Sequence, residues 1–312
     1  MNIHQRGYTL IELMISLLLG LMMISGFGSL FVQTQKNATI QRSLSYMMED
    51  GRYILEVFGR EFRRTGSLKS KMSASGACDA VLTADPNVLG STMSFSACDY
   101  IRGQYNAAGF GTSFNINELA LKYQLNNNID PSTGKSAELA SDDPSSTNSA
   151  CERSILLTPA EDTAPTQVHV VTLYFYVALD ASNIPVLYCV AKRQNLSDPT
   201  KDKTPNTAEP LISNVQQLLI TYGIDDPAVH EDDVKDPTDT ITDVANYYVG
   251  AGSVTDWQRV VAARLSVVLR SEDDNLTKSS VSYTPIDGTT YTATDKRFYR
   301  EFSTTIAFRN KI

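Results

Sequence analysis

Histidine is scarce in this chain, because the 312 residues include only His4, His169 and His230. Histidine is the side chain that most often ligates metals or transfers protons near neutral pH. The sequence also lacks the H-E-x-x-H, G-x-S-x-G and G-x-x-x-x-G-K-[ST] patterns of zinc proteases, serine hydrolases and nucleotide-binding loops. We therefore predict that the chain is not an enzyme and that it binds no cofactor.

An excess of basic residues is also missing, since the formal net charge is -8 and the sequence pI is about 5.0. Proteins that bind nucleic acid usually present a basic face, so we predict no nucleic-acid partner. The acidic stretch 225–236 is a candidate calcium site because carboxylates are the ligands that calcium prefers. Its spacing fits no calcium-loop motif, and charge runs are usually solvated, so we predict no metal.

Cysteine occurs four times, and no two cysteines form a C-x-x-C pair. Zinc-ribbon and thioredoxin-like sites are therefore disfavoured. In an exported domain, four separated cysteines favour two disulfides, for which three connectivities are possible. Sequential pairing, Cys78 with Cys98 and Cys151 with Cys189, closes the shortest loops and is our expectation. Buried free thiols remain the alternative.

One long apolar run is present, Tyr8 to Val32, and it contains no proline. As a helix it would be about 37 Å long, enough to cross a hydrocarbon core of about 30 Å. No cleavage site of the A-x-A kind follows Val32, as a secretory signal peptide would require. We therefore expect any cleavage to precede the run, which then stays in the mature protein as a membrane helix.

Glu12 is the only residue in this run that we expect to be charged. A carboxylate near the bilayer centre costs about 2.5–3.5 kcal/mol on insertion scales, and less near an interface. If the chain is cut after Gly7, Tyr8 gains a free amine one helical turn before Glu12. The amine of a neighbouring subunit, shifted by about one turn, could then neutralise Glu12 and fix the axial register.

The residues R-G-Y-T-L-I-E at 6–12 resemble the processing motif of type IV prepilins and type II secretion pseudopilins. This resemblance implies that Gly7 ends a leader, that Tyr8 becomes the N-methylated N-terminus, and that Glu12 is the register carboxylate. Tyr8 replaces the usual phenylalanine but keeps an aromatic ring, so we expect processing. A plain single-pass anchor with an incidental glutamate is the alternative.

Helical spacing continues beyond the apolar run to about Arg64. The apolar positions that recur on one face are Ile40, Leu44, Met47 or Met48, Leu55, Phe58 and Phe62. This amphipathic pattern predicts a helix that packs on its own globular domain. Gly66 is the expected stop.

Alternating apolar residues predict antiparallel strands in the rest of the chain. They occur at 168–179, 186–192, 211–225, 263–270 and 302–308, and the first two are expected to form a hairpin. One face of each strand is expected to lie on the core. The predicted fold class is α+β, a long helix on an antiparallel sheet as in pilins. The expected domains are a leader at 1–7, a membrane and filament-core helix at 8–32, an amphipathic helix at 33–65 and a periplasmic β-rich domain at 66–312.

The segments 211–225, 257–271 and 300–310 resemble minor pilins of the PilW type, with the J-type pseudopilin as a more distant relative. The resemblance implies a minor pilin that primes type IV pilus assembly from a tip complex. Its implied partners are other minor pilins, the major pilin, prepilin peptidase and the inner-membrane assembly platform, with a tip adhesin as a further candidate. The implied location is the inner membrane, with a periplasmic domain, and then the pilus tip. A J-type pseudopilin and a membrane-anchored periplasmic binding module are the alternatives.

Overall fold

The computed structural model describes residues 9–66, 93–96, 98–106, 116–124, 151, 169–196, 198–204, 208–226 and 244–308. Within these ranges the chain forms one long helix and antiparallel sheets, which confirms the predicted α+β class. The helix α1 is Leu10–Arg64. The strands are β1 Ile101–Asn106, β2 Ile116–Gln124, β3 His169–Leu179, β4 Pro185–Asn195, β5 Glu209–Ser213, β6 Val215–Ile224, β7 Tyr247–Gly250, β8 Val260–Arg270, β9 Val281–Tyr283, β10 Tyr291–Ala293 and β11 Tyr299–Ala307.

The helix α1 runs without a break from the apolar segment into the domain. Arg63 and Arg64 lie in its last turn, where cations interact favourably with the negative end of the helix dipole. Gly66, at φ +73°, turns the chain away, and its N–H donates to Lys122 O at 3.1 Å. The helix therefore ends next to the predicted stop and is joined there to β2.

Only the second half of α1 packs on the domain, through a face that begins at Ser43. Met47, Ile54, Phe58 and Phe62 are buried on this face, at spacings of seven, four and four. The prediction of an intramolecular apolar stripe is confirmed here. Its centre is displaced by one residue, because Ile54 is fully buried whereas Leu55 is only partly buried.

The first sheet has the strand order β1-β2-β3-β4-β5, and all of its strands are antiparallel. Its central hairpin joins β3 to β4, and Phe175 lies opposite Cys189. The turn closes where Asp180 N donates to Ile184 O at 2.9 Å. The predicted hairpin is confirmed, with a second strand longer than expected.

The second sheet has the order β11-β8-β6-β7. The prediction of one strand over 211–225 is wrong, because Asn214 divides this stretch into β5 and β6, which belong to different sheets. Asn214 adopts φ +62°, a left-handed conformation that asparagine tolerates better than most residues. Arg270 N donates to Asn214 O at 3.0 Å, which holds this crossing against the end of β8.

The helix and both sheets share one hydrophobic core. Phe58 packs on Phe175 of the first sheet with ring centroids 4.9 Å apart, and Phe62 stacks near Phe308, beyond β11, at 5.6 Å. The two sheets are also joined by Tyr100 Oη, which donates to Val260 O at 2.6 Å. This packing fixes the direction in which α1 leaves the domain.

The middle of β8 is covered on both faces, because Ser266 and Val268, which lie on the face opposite Leu265 and Val267, are also fully buried. The hairpin β9–β10 lies over that face. Tyr283 of this hairpin stacks on Tyr299 of β11 at 5.0 Å, and Ile286 N donates to Glu301 Oε1 at 3.1 Å. A third layer therefore covers part of the second sheet.

Candidate membrane and filament helix

The first half of α1 lies outside the core of the domain. Its large apolar side chains are exposed over residues 10–32. Leu10, the first of them, is 79% exposed, and Val32, the last, is 67% exposed. The most apolar window of the helix has a mean hydropathy of 2.2 and none of its residues is buried. In the described part of the chain, α1 is the one helix long and apolar enough to cross a membrane.

An exposed apolar surface of this size is unfavourable in water, because each Å² costs about 25 cal/mol relative to an apolar environment. Two serine hydroxyls within it bond to the helix backbone. Ser16 Oγ donates to Glu12 O at 2.7 Å, and Ser29 Oγ donates to Gly26 O at 2.8 Å. The surface is therefore suited to lipid or to other apolar helices.

Glu12 lies in the first turn of α1, where a carboxylate interacts favourably with the positive end of the helix dipole. Thr9 caps this turn, since Glu12 N donates to Thr9 O at 3.1 Å and to Thr9 Oγ1 at 3.4 Å. The Glu12 side chain is exposed. Its charge is thus accessible to a second chain, as a register role requires.

Gly7 and Tyr8 lie outside the described residues, so the leader cleavage and the N-methylation remain predictions. Gly20, Gly26 and Gly28 lie inside the continuous helix. Among the residues that the structure describes, a Cβ atom added at any of the three would meet nothing within 4 Å. Close packing against the described residues is therefore not the reason for glycine at these positions.

The junction between the helix and the domain depends on a close approach at Gly51. A Cβ atom there would lie within 2.5 Å of three atoms of the Phe302 ring in β11. Ser43 Oγ also donates to Asp273 Oδ2 at 3.3 Å, one helical turn before the first large buried side chain. These contacts hold the second half of α1 on the domain, just beyond the exposed half.

Charged groups at the junction are partly desolvated. Burial raises the pKa of the Asp50 carboxyl, and the negative charge of Glu49 raises it further. Arg42, Asp50, Arg270 and Asp273 line a cleft of about 420 Å³ beside α1. Both charge signs occur in the cleft, which makes it a polar boundary between the domain and the apolar half of the helix.

Sequence reasoning missed a buried carboxylate at the end of α1. Glu61 is 0% exposed. Arg60 Nε lies 3.1 Å from Glu61 Oε1, and Arg64 Nη1 lies 3.8 Å from Glu61 Oε2. Arg64 also covers the Tyr123 ring at 4.5 Å. The helical spacing could have indicated this burial, because Glu61 lies between Phe58 and Phe62 on the apolar face.

The cysteines were predicted in two pairs. Cys151 and Cys189 form a disulfide with a Cα–Cα distance of 5.7 Å. Both residues are fully buried, and Cys189 lies on the core face of β4. Cys78 lies outside the described residues, so its pairing with Cys98 remains a prediction.

The acidic stretch is described only at its first two residues. Asp225 is buried, and its N–H donates to Arg259 O at 3.0 Å. Asp226 N donates to Asn246 Oδ1 at 2.6 Å. In the ranges that the structure describes, no three His, Cys, Asp or Glu side chains form a group that could hold a metal ion.

Two family comparisons agree with this arrangement. The family described as Type IV Pilus-assembly protein W matches residues 174–310, and the prokaryotic N-terminal methylation motif matches residues 2–28. The chain is similar to PilW-type, prepilin-like proteins. The PilW-like part includes most of the β3–β4 hairpin, so it begins earlier than the segment at 211 that first indicated it. No curated protein and no solved structure matches the chain.

Proposed function

We propose that this chain is a minor pilin of a type IV pilus, that it primes pilus assembly, and that it lies in a tip complex with other minor pilins. The observation that carries the proposal is the division of α1. One half is an exposed apolar helix with a single carboxylate near its start, and the other half is packed into a β-rich domain.

Leader removal is the first step of the proposed mechanism. Prepilin peptidase cuts after Gly7, Tyr8 becomes the N-methylated end, and its amine carries a positive charge. Before assembly, α1 holds the chain in the inner membrane and the domain lies in the periplasm. The N-terminal methylation motif over residues 2–28 supports this step.

Helix bundling is the second step. The apolar residues of α1 exchange lipid for the apolar helices of neighbouring subunits, at small cost because both surroundings are apolar. Glu12 pairs with the amine of a neighbour, and this pairing sets the axial register. The exposed position of Glu12 in the first turn supports this role.

The domain suits a tip position by its size. The chain has 312 residues, and most of them follow the C-terminal end of α1 at Arg64. A subunit that is packed repeatedly along a shaft must fit between copies above and below it, whereas a tip subunit has nothing stacked above it. The proposed role is therefore mechanical, with no chemical step beyond the processing done by other proteins.

Processing and register can be tested separately in a strain that carries its own pilus genes. The Gly7→Val protein should keep the mass of the full-length chain, because its leader is not removed. The Glu12→Gln protein should be processed normally but should fail to restore pili to a deletion strain. Thr9→Ser, a conservative change beside Glu12, should restore them. A normal mature mass for Gly7→Val, or normal pili without the chain, would contradict the proposal.

A further inference from the structure

The strand β11 forms one edge of the second sheet. It pairs with β8 in a continuous antiparallel register from Tyr299 opposite Arg270 to Ala307 opposite Ala262. In the ranges that the structure describes, no strand pairs with its other side. Among the described residues, the backbone groups on that side thus have no strand to bond to, as is typical of a sheet edge.

The register shows which backbone groups face outward. Ser271 N donates to Phe298 O, and Phe308 N donates to Val261 O, so even-numbered residues at both ends bond towards β8. Antiparallel strands alternate strictly between bonding and non-bonding positions. The N–H and C=O groups of Ser303, Thr305 and Ala307 consequently point away from the sheet, and all three residues are exposed.

Most of this edge lacks the protection that sheet edges usually have. Charge is confined to Arg300 and Glu301 near the start of β11, and residues 302–308, Phe-Ser-Thr-Thr-Ile-Ala-Phe, contain no charge, proline or glycine. Natural edge strands are commonly blunted by charged residues, by proline, by bulges or by shortness. The other edge strands described in the two large sheets are shorter than the nine residues of β11. The edge strand β5 has five residues and carries Glu209 and Pro210, β1 has six and carries Arg102 and Gly103, and β7 has four.

Side chains on the core face of β11 pack against the rest of the domain. Phe302 fills the space over Gly51 of α1, and Ile306 is buried. The strand is thus presented in an extended conformation without needing to be ordered on binding, which lowers the entropic cost of adding a strand.

We propose that β11 is a docking edge to which an extended, uncharged segment of a different filament subunit adds as an extra strand. This inference deepens the proposed function and rests on it. Ser303, Thr305 and Ala307 present small side chains on the outer face, which leaves room for larger side chains of the added strand.

A second copy of this chain fits the edge poorly. Antiparallel pairing of two β11 strands relates the copies by a two-fold axis perpendicular to the sheet. Because α1 packs on the face of this sheet, the two helices would then run in opposite directions. The apolar halves of the two helices could then not insert into one membrane from the same side. Pairing with another edge of a second copy would meet Pro210, Arg102 or the short β7.

The first test uses full-length variants in the pilus-bearing strain. Thr305→Pro removes the outward N–H while leaving the bonds to β8, whereas Thr305→Val keeps both the N–H and a β-branched side chain. We expect Thr305→Pro to reduce surface filaments by about tenfold or more, because the added strand loses the N–H of residue 305 and meets the proline ring. Thr305→Val should leave the filaments unchanged. Equal filament numbers for the two variants, or loss with both, would overturn the inference.

Hydrogen exchange of the wild-type chain tests the same point without relying on a folded proline variant. The amides of Ser303, Thr305 and Ala307 should exchange rapidly in the detergent-solubilised chain alone and slow by about tenfold or more in isolated filament tips. The amides of Thr304 and Ile306 should be protected in both samples. Unchanged exchange at the odd-numbered positions would overturn the docking edge.

A deletion strain separates the two proposals. Normal filaments without the chain would contradict the proposed function. Filaments that require the chain but form normally with Thr305→Pro would contradict only the docking edge.

Discussion

Phe302 occupies the space that a side chain at residue 51 would need, since a Cβ atom at Gly51 would collide with Phe302 Cε1. The contact joins the middle of α1 to β11, two elements about 250 residues apart in the chain. It explains a glycine inside a helix, where glycine costs about 1 kcal/mol relative to alanine.

Gly51→Ala should therefore destabilise the protein by up to about 2 kcal/mol, because an overpacking cost of about 1–3 kcal/mol exceeds the gain of about 1 kcal/mol in helix propensity. Gly59→Ala is the matched control, since a Cβ atom there meets Arg63 only at 3.7 Å. The control should raise the melting temperature of the full-length chain in detergent. A stabilised Gly51→Ala variant would contradict the close approach, and Phe302→Ala should relieve its defect.

Removing the Cys151–Cys189 disulfide should lower stability by about 4 kcal/mol, on the chain-entropy estimate for residues separated by 38 positions. Cys189→Ser should show this as a lower melting temperature under oxidising conditions. Peptide mapping without reductant should recover Cys151 and Cys189 in one linked pair. Recovery of either cysteine with Cys78 or Cys98 would show that the pairing is wrong.

Tyr222→Phe should be neutral or stabilising by about 1 kcal/mol, because it removes a buried hydroxyl. Tyr222 is 0% exposed, and among the described residues its Oη has no hydrogen-bond partner. Burial raises the pKa of this phenol. Denaturant melts of the two proteins give the comparison, and a loss above about 1 kcal/mol would indicate a hydrogen bond to this hydroxyl.

A related substitution tests the packing around the same ring. A Cβ atom added at Gly103 of β1 would collide with the Tyr222 Oη atom. Gly103→Ala should therefore destabilise the chain by about 1–3 kcal/mol. The Tyr222→Phe background should reduce this loss, since it removes the colliding oxygen, and equal losses in both backgrounds would place the collision elsewhere.

Alkaline pH should destabilise the hairpin β9–β10 through Tyr291. Burial, the Asp287 hydrogen bond at 2.8 Å and the Asp287 charge raise the pKa of Tyr291 to about 12 from 10.0. The unfolded phenol ionises first, so this stabilisation is complete below pH 10 and is lost as the pH rises to about 12. Tyr291→Phe should flatten the decline in melting temperature between pH 10 and about 12. An identical decline in both proteins would contradict the assignment.

The local pattern of the sequence determined the long helix, its stop near Gly66, the β3–β4 hairpin and the strand character of β8 and β11. These features depend on residues close together in the chain, because apolar periodicity and turn chemistry act over a few positions. The N-terminal motif likewise carried the resemblance to prepilins through residues 6–12 alone.

Tertiary structure decided what depends on distant partners. The assignment of β5 and β6 to different sheets depends on Asn214 and on what each strand pairs with. The burial of Val268 depends on the β9–β10 layer, and the burial of Glu61 depends on the domain that surrounds the end of α1. The same strand pattern fits a central or an edge strand, so only the pairing partners show that β11 is an edge strand among the described residues.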